Sequence, residues 1–128
     1  MSSGNDQKIS LEQIYAVIEQ PIPAGHRVLT DRLWPRGLKK TQLQDKKITW
    51  YRDASPSAEL RKAFHAKKLS VAEFNKAYHQ ELQKDPERLQ PLIELAQQGP
   101  LTLLTAMREP SETYLSVLSE HIQAQLKP

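Results

Sequence analysis

The side chains best suited to chemistry cluster in one short stretch, DRLWPRG, at residues 31–37. Arginine presents a planar fork of N–H donors that matches a carboxylate or a phosphate, so two arginines in a partly dry cleft can hold an oxyanion. We therefore predict an anion site in which Arg32 and Arg36 bind the ligand. Asp31 would orient the arginines, and Trp34 would roof or floor the cleft.

Three further residues extend this prediction. Arg61 and His65 are four apart in ELRKAFH, so on a helix they share one face. Arg61 would be a third cation, and His65 or Asp31 would carry the proton if a reaction follows. Arg108, just after an apolar run, would be a fourth cation. The structural alternatives are a surface or hydrogen-bonded histidine and an exposed loop arginine.

The DRLWPRG block also has a purely architectural interpretation. Asp31 would then pair with one of the three nearby arginines, Trp34 would fill the core and Pro35 would set a turn. Structural cores rarely need several arginines, and this favours the anion site. The ligand would be a small phosphorylated or carboxylated molecule.

A nucleic-acid-binding module is the alternative function. Residues 31–68 contain eleven Lys or Arg against four Asp or Glu, although the whole chain has a net charge of only +3. Basic residues interleaved with aromatics can bind single strands through phosphate contacts and base stacking. The aromatics concerned are Trp34, Trp50, Tyr51 and Phe64. With only two tryptophans and two phenylalanines in the chain, we expect most of these rings to fill the core instead.

Composition excludes several other classes of function. Without cysteine there is no disulfide, thiolate metal site or cysteine nucleophile, and we expect a cytoplasmic protein. No dinucleotide-binding, P-loop or zinc-protease motif is present, and the histidines at 26, 65, 79 and 121 lack metal-ligand spacing. We therefore predict no cofactor, no metal and no membrane span. The sequence does not indicate an oligomeric state.

The elements that must position these residues follow from hydrophobic patterning. We predict a flexible tail at residues 1–8 and a single α/β domain at 9–128. An edge strand begins at ISLEQIYAV, and residues 27–30 form a short central strand. ITWYRD is a short strand or an extended segment, and PLTLLTA is a strand buried on both faces. GLKKTQLQDKK predicts a short polar helix or turn between them.

Helix starts are marked by capping residues. Ser55 or Ser57 can cap the helix of SPSAELRKAFH, and Ser70 with Glu73 has capping-box spacing. The apolar face of that second helix comprises Val71, Phe74, Ala77, Tyr78 and Leu82. A further helix starts at about Pro86, and the last follows Pro110 and Ser111, where Ser111 could cap it.

This order of elements predicts a small three-layer α/β domain with a short, mostly parallel sheet flanked by helices. Ligands of such sheets usually sit outside the carboxyl ends of the strands. Two predicted strand ends carry candidate residues, one from Asp31 onward and one from Thr105 onward. The predicted site therefore lies where the fold class expects one.

Three segments closely resemble the signature blocks of the YeaO-like bacterial family, a branch of a larger domain family of unknown function. They are GHRVLTDRLWPRGLKK, WYRDASPSAELRKAFH and PLTLLTAMRE, and the similarity runs from Ile9 to Ile122. The resemblance implies a compact, cytoplasmic α/β domain with no assigned reaction. The family pattern falls on Gly25, Arg27, residues 31–37, Trp50, Asp53, Pro56, Ser57, residues 59–61, Phe64 and residues 101–104.

The chain departs from the family pattern after Leu104. Close relatives tend to have an aromatic residue, a serine and a lysine where this chain has residues 105–108, TAMR. More distant members carry a Cys-His-Arg cluster at the start of the last helix, and here that position holds Thr113, Tyr114 and Leu115. Chemistry built on that cysteine is therefore not expected in this protein.

Overall fold

The computed structural model describes residues 9–126, in which four strands form one parallel sheet. The strands are β1 (Ile9–Gln13), β2 (His26–Leu29), β3 (Ile48–Trp50) and β4 (Leu101–Thr105). Their order across the sheet is β1-β4-β2-β3, and every neighbouring pair is parallel. The predicted edge position of β1 and the interior positions of β2 and β4 are confirmed. The predicted tail lies outside the described residues.

Six α-helices accompany the sheet within residues 9–126. They are α1 (Ile14–Val17), α2 (Lys40–Asp45), α3 (Ala58–His65), α4 (Val71–Lys84), α5 (Gln90–Gln98) and α6 (Tyr114–Leu126). Single 3₁₀ turns occupy Arg52–Ala54, Pro86–Leu89 and Pro110–Glu112. Within these residues no helix is both long and apolar enough to cross a bilayer.

Capping chemistry explains where two of the helices begin. The Leu60 N–H donates to Ser57 Oγ at 3.1 Å, so Ser57 caps α3, whereas the Ser55 hydroxyl donates to a backbone carbonyl. Ser70 and Glu73 form the predicted capping box of α4 with bonds of 2.8 and 3.1 Å. These bonds each satisfy a backbone donor that the helix itself leaves free.

Three other predictions about the helices differ from the structure in detail. Val71 is 60% exposed rather than part of the apolar face of α4, because it occupies the first turn beside an open cleft. The helix expected from about Pro86 begins there only as a 3₁₀ turn, and α5 follows from Gln90. Ser111 lies in the 3₁₀ turn before α6, and Thr113 Oγ1 instead accepts from a backbone N–H of that helix.

Two apolar clusters cover opposite faces of the sheet, as expected for three layers. Alternate side chains of β2 and β4 point to opposite faces, because the side-chain period of a strand is two. Val28 and Leu103 face the layer of helices α3 to α6, and Leu29 and Leu104 face α1 and α2. The predicted three-layer α/β architecture is confirmed.

A tight approach at Gly25 sets the start of β2. Gly25 has a φ of +91°, and a Cβ there would lie 2.4 Å from the carbonyl oxygen of Pro100. The next residue, His26, donates its N–H to the same oxygen at 3.0 Å. Glycine therefore lets the loop close onto the residue before β4, where the pairing of His26 with Leu101 begins.

The chain leaves β2 and β4 toward opposite faces of the sheet. The connection after β2 runs through α2, whose Leu43 packs in the same cluster as Leu29. The connection after β4 leads to α6, whose Leu115 and Leu118 pack in the other cluster. Such divergence opens a crevice at the carboxyl ends of neighbouring strands, where α/β domains usually bind ligands.

Candidate functional site

A cleft of about 360 Å³ opens at the carboxyl ends of β2 and β4. Its walls come from the loop after β2, α3, the first turns of α4 and α6, and the segment after β4. Six of the seven sequence-predicted site residues line it: Asp31, Arg32, Trp34, Arg36, Arg61 and His65. Arg108 is exposed and is not part of the lining, so the predicted fourth cation does not join the others.

Asp31 is held by two hydrogen bonds from distant parts of the chain. Its Oδ1 accepts from the Tyr114 hydroxyl at 2.6 Å, and its Oδ2 accepts from the Ala106 N–H at 2.8 Å. In the described part of the chain these partners are a phenol and a backbone amide, not an arginine. Asp31 thus joins the loop after β2 to α6 and to the end of β4.

Tyr114 is a cleft residue that the sequence analysis missed. Its side chain is almost fully buried, and its oxygen lies 2.9 Å from Oγ1 of the buried Thr30. Burial and the adjacent charge of Asp31 raise the pKa of Tyr114 well above its usual value. The phenol therefore stays neutral and donates to Asp31. The signal available in the sequence is the position of Tyr114 in the segment where the YeaO-like resemblance implies a Cys-His-Arg cluster in distant members.

The three arginines of the cleft come from two separate segments. Arg32 Nε donates to the carbonyl of Pro56, just before α3, at 3.2 Å. This bond uses one of the five N–H groups of arginine, so donors remain for a ligand. Arg36 is exposed, and its backbone carbonyl accepts from the Tyr15 hydroxyl at 2.7 Å. Arg61 is half-buried on α3.

Trp34 serves both the cleft and the core. Its ring packs edge-on against Trp50, with centroids 5.1 Å apart and planes at 73°. Its Nε1 donates to the carbonyl of Leu38 at 2.7 Å, which closes the loop, and Gly37 between them has a φ of +84°. Trp50 in turn donates to the backbone carbonyl of Asp31 at 2.7 Å. The tryptophans thus hold the arginine-bearing loop in place.

His65 lies in the last turn of α3, where its side chain is exposed and lines the cleft. Arg61 lies one turn earlier in the same lining, so their predicted shared helix face is confirmed. The ring of the neighbouring Phe64 lies 6.4 Å from the imidazole, centroid to centroid. The role of His65 or Asp31 as proton carrier stays a prediction.

The aromatic rings of the basic region are largely engaged within the protein. The Tyr51 hydroxyl donates to the carbonyl of Arg88 at 2.6 Å, and Phe64 packs on Phe74 with centroids 4.7 Å apart. Trp50, like these rings, is half-buried. Base stacking needs open ring faces. Nucleic-acid binding therefore stays a prediction that these contacts do not favour.

The described side chains do not form a cluster of metal ligands. Among residues 9–126, no three His, Asp or Glu side chains come together as a possible metal site. The charged residues of the lining are Arg32, Arg36, Arg61, Asp31 and Glu112. The arrangement is suited to binding an anion.

Comparisons with known proteins agree with the residue pattern. The family described as the inactive DUF488-N3 subclade matches residues 8–128. The uncharacterised protein YeaO of Escherichia coli strain K12 is 36% identical over 116 residues, which cover 91% of this chain and 97% of that protein. The uncharacterised proteins Mb3100c of Mycobacterium bovis and Rv3073c of Mycobacterium tuberculosis are 31% identical over 116 residues, covering 90% of this chain and 93% of each. No solved structure matches the chain. On this similarity, which extends over nearly its whole length, the protein belongs to the inactive DUF488-N3 subclade.

Proposed function

We propose that this protein binds a small phosphorylated or carboxylated molecule in the cleft at the carboxyl ends of β2 and β4. The observation that carries the proposal is the convergence of Arg32, Arg36 and Arg61 on one lining. The first two follow β2 and the third belongs to α3, so folding brings together cations that are distant in the sequence. Charge-assisted bonds from arginine to an oxyanion are among the strongest that side chains make.

The electrostatics of the lining support an anionic ligand. Besides the three arginines, the charged residues of the cleft are Asp31 and Glu112. Asp31 is already bonded to Tyr114 and Ala106 through both oxygens. Three arginines against two carboxylates give the lining a formal net charge of +1, and the partly enclosed cleft strengthens the attraction of the arginines for an anion relative to bulk water.

The family membership supports binding of the ligand without a chemical reaction. The family is described as inactive, and Thr113 and Tyr114 line the cleft where the YeaO-like resemblance implies a Cys-His-Arg cluster in distant members. Asp31 has a positioning role in this account. We place the binding in the cytoplasm, which the absence of cysteine favours.

The test compares two arginine variants. Arg36→Ala removes an exposed cation of the cleft, and Arg108→Ala removes an exposed arginine outside it. Thermal unfolding is followed with phosphate, sulfate, acetate and sugar phosphates, since a ligand at one hundred times its Kd stabilises a protein by about 2.7 kcal/mol. We expect stabilisation of the wild type and of Arg108→Ala, and its loss in Arg36→Ala. Equal loss in both variants, or no stabilisation of the wild type by any of these anions, contradicts the proposal.

A further inference from the structure

We propose that the ligand of this cleft is an amphipathic anion, in which one phosphate or carboxylate group is joined to a compact aromatic or branched aliphatic body. This inference rests on the proposed function and specifies the ligand class. It is carried by the apolar side chains that share the cleft with the arginines.

Exposed apolar side chains are concentrated around the cleft. In residues 9–126 the exposed large hydrophobic residues are Tyr15, Ile22, Leu33, Val71 and Met107. All except Ile22 line the cleft, and they come from four separate segments of the chain. Single exposed apolar residues are ordinary, but a group around one concave surface is typical of a binding site. The rim therefore offers apolar surface that a ligand can cover.

The inner wall of the cleft is also apolar. Phe64 and Phe74 both line it, and their rings pack with centroids 4.7 Å apart. Phe64 belongs to the same helix as Arg61, so one wall presents an aromatic ring beside a guanidinium group. A ligand bound by the arginines alone would leave the exposed rim side chains uncovered.

The size of the cleft favours a compact molecule. Small-molecule pockets typically have volumes of about 300–1,000 Å³, and apolar walls with a few polar groups are their usual composition. At about 360 Å³ this cleft is near the lower end of that range. A bare inorganic anion would leave most of this volume empty, whereas a ring with one charged substituent would use both the apolar walls and the arginines.

Matched ligands separate the apolar contribution from the ionic one. Calorimetric titration compares phenyl phosphate with inorganic phosphate, and phenylacetate with acetate. We expect each aromatic anion to bind at least about tenfold more tightly than its small partner, a difference of about 1.4 kcal/mol. Burial of apolar surface is the physical reason, since each Å² removed from water contributes roughly 25 cal/mol.

A double variant tests whether the preference comes from this cleft. Leu33→Ser with Val71→Ser removes two rim side chains that are 63% and 60% exposed, so the fold is expected to tolerate both changes. The control is Ile22→Ser, an exposed apolar residue outside the cleft. We expect the double variant to lose most of the preference, measured as the ratio of its affinity for phenyl phosphate to its own affinity for inorganic phosphate. The control should behave as the wild type does.

The outcomes distinguish this inference from the proposed function. If both members of each pair bind equally, or if the double variant keeps the full preference, the amphipathic ligand class is wrong while anion binding stands. If none of the four anions binds the wild type, the proposed function fails as well. If Ile22→Ser lost the preference for phenyl phosphate to the same extent as the double variant, the apolar contribution would not come from this cleft. That result would overturn the inference.

Discussion

At the scale of single residues, Asp31 organises the cleft. Its carboxylate accepts from a side chain of α6 and from the backbone directly after β4. Hydrogen bonds to charged groups contribute about 1.5–3 kcal/mol each, more than neutral ones. The two oxygens thereby hold three segments together, and neither of these bonds uses an arginine of the cleft.

The first prediction concerns the phenol that bonds Asp31. Tyr114→Phe removes a donor to the carboxylate and a partner of the buried Thr30 hydroxyl. We expect the free energy of unfolding in urea to fall by about 1–3 kcal/mol, because a buried polar group without a partner carries its full desolvation cost. Tyr15→Phe is the control, since that exposed hydroxyl donates to the Arg36 carbonyl, which water can satisfy instead. Equal losses in the two variants would argue against the central role of Asp31.

Residues of the site that are related by a local period can be predicted from the sequence, and residues that only the tertiary fold brings together cannot. Arg61 and His65 belong to the first kind, because the helical period alone brings side chains four apart onto one face. Asp31 and Tyr114 are separated by 83 positions, and no local period relates them. Only the parallel pairing of β2 with β4, followed by α6, brings this tyrosine to the aspartate.

At the scale of elements, the loop before β2 is expected to be the most sensitive to a single methyl group. Gly25 and Gly37 both have positive φ, but only at Gly25 would a Cβ collide with another backbone, that of Pro100. Left-handed backbone in a residue other than glycine costs about 1–3 kcal/mol. We expect Gly37→Ala to lower the free energy of unfolding in urea by an amount within this range. Gly25→Ala should lower it by more. Similar costs would mean that the close approach to β4 is not required.

The contact between α4 and α6 should make stability depend on pH. The rings of His79 and His121 pack with their centroids 4.1 Å apart. Burial, and to a lesser extent the charge of His79, lowers the pKa of His121. An unfolded histidine has a pKa of about 6.5, so between the lowered pKa of folded His121 and about 6.5 this residue binds more protons in the unfolded chain than in the folded one. Stability is therefore lost as the pH falls through this window.

The variant His79→Gln tests this pH dependence. It removes the charge that opposes protonation of His121, while the burial of that ring is retained. We expect its melting temperature to fall less than that of the wild type between about pH 7.5 and pH 5.5, the range in which histidine titrates. An identical fall in the two proteins would show that the histidine contact does not contribute.

Several elements could be predicted from the sequence because their signals are local. The continuous apolar run of β4 indicated burial on both faces, and Ser70 with Glu73 marked the start of α4. The exposure of Val71 could not be predicted from its spacing, because it depends on the cleft left open between α3, α4 and the loop after β2. Local patterns define elements, whereas surface exposure depends on how they pack.

At the scale of the whole molecule, the divergence of the chain after β2 and β4 creates the cleft, and the basic segment supplies its charge. Residues 31–68 contribute eleven of the eighteen Lys and Arg, yet only three of them line the cleft. A site that uses a few arginines for one small anion should respond to salt differently from an extended phosphate-binding surface.

Salt dependence is accordingly a further prediction. We expect the affinity for inorganic phosphate to fall only a few fold between about 50 and 200 mM salt, because one ligand group is bound. A nucleic-acid surface with six to ten phosphate contacts would lose roughly 10³–10⁵ in affinity over the same range. Titration of phosphate and of a short single-stranded oligonucleotide at both salt concentrations measures this. A tight, steeply salt-dependent complex with the oligonucleotide alone would favour the alternative function.

The central claim is that a small anion binds among Arg32, Arg36 and Arg61. Titration of the ¹⁵N-labelled protein with phenyl phosphate and with phosphate, followed by NMR, tests it most directly because it locates the ligand. We predict saturable shifts concentrated in the amides and arginine Nε–H groups of residues 31–37 and 61–65 and in the amides of residues 106–107, with the same ligands causing no such shifts in Arg36→Ala. The exposed lysines outside the cleft include Lys39, Lys40, Lys67 and Lys68. Shifts confined to these lysines, or an unchanged spectrum at high ligand concentration, would contradict the account.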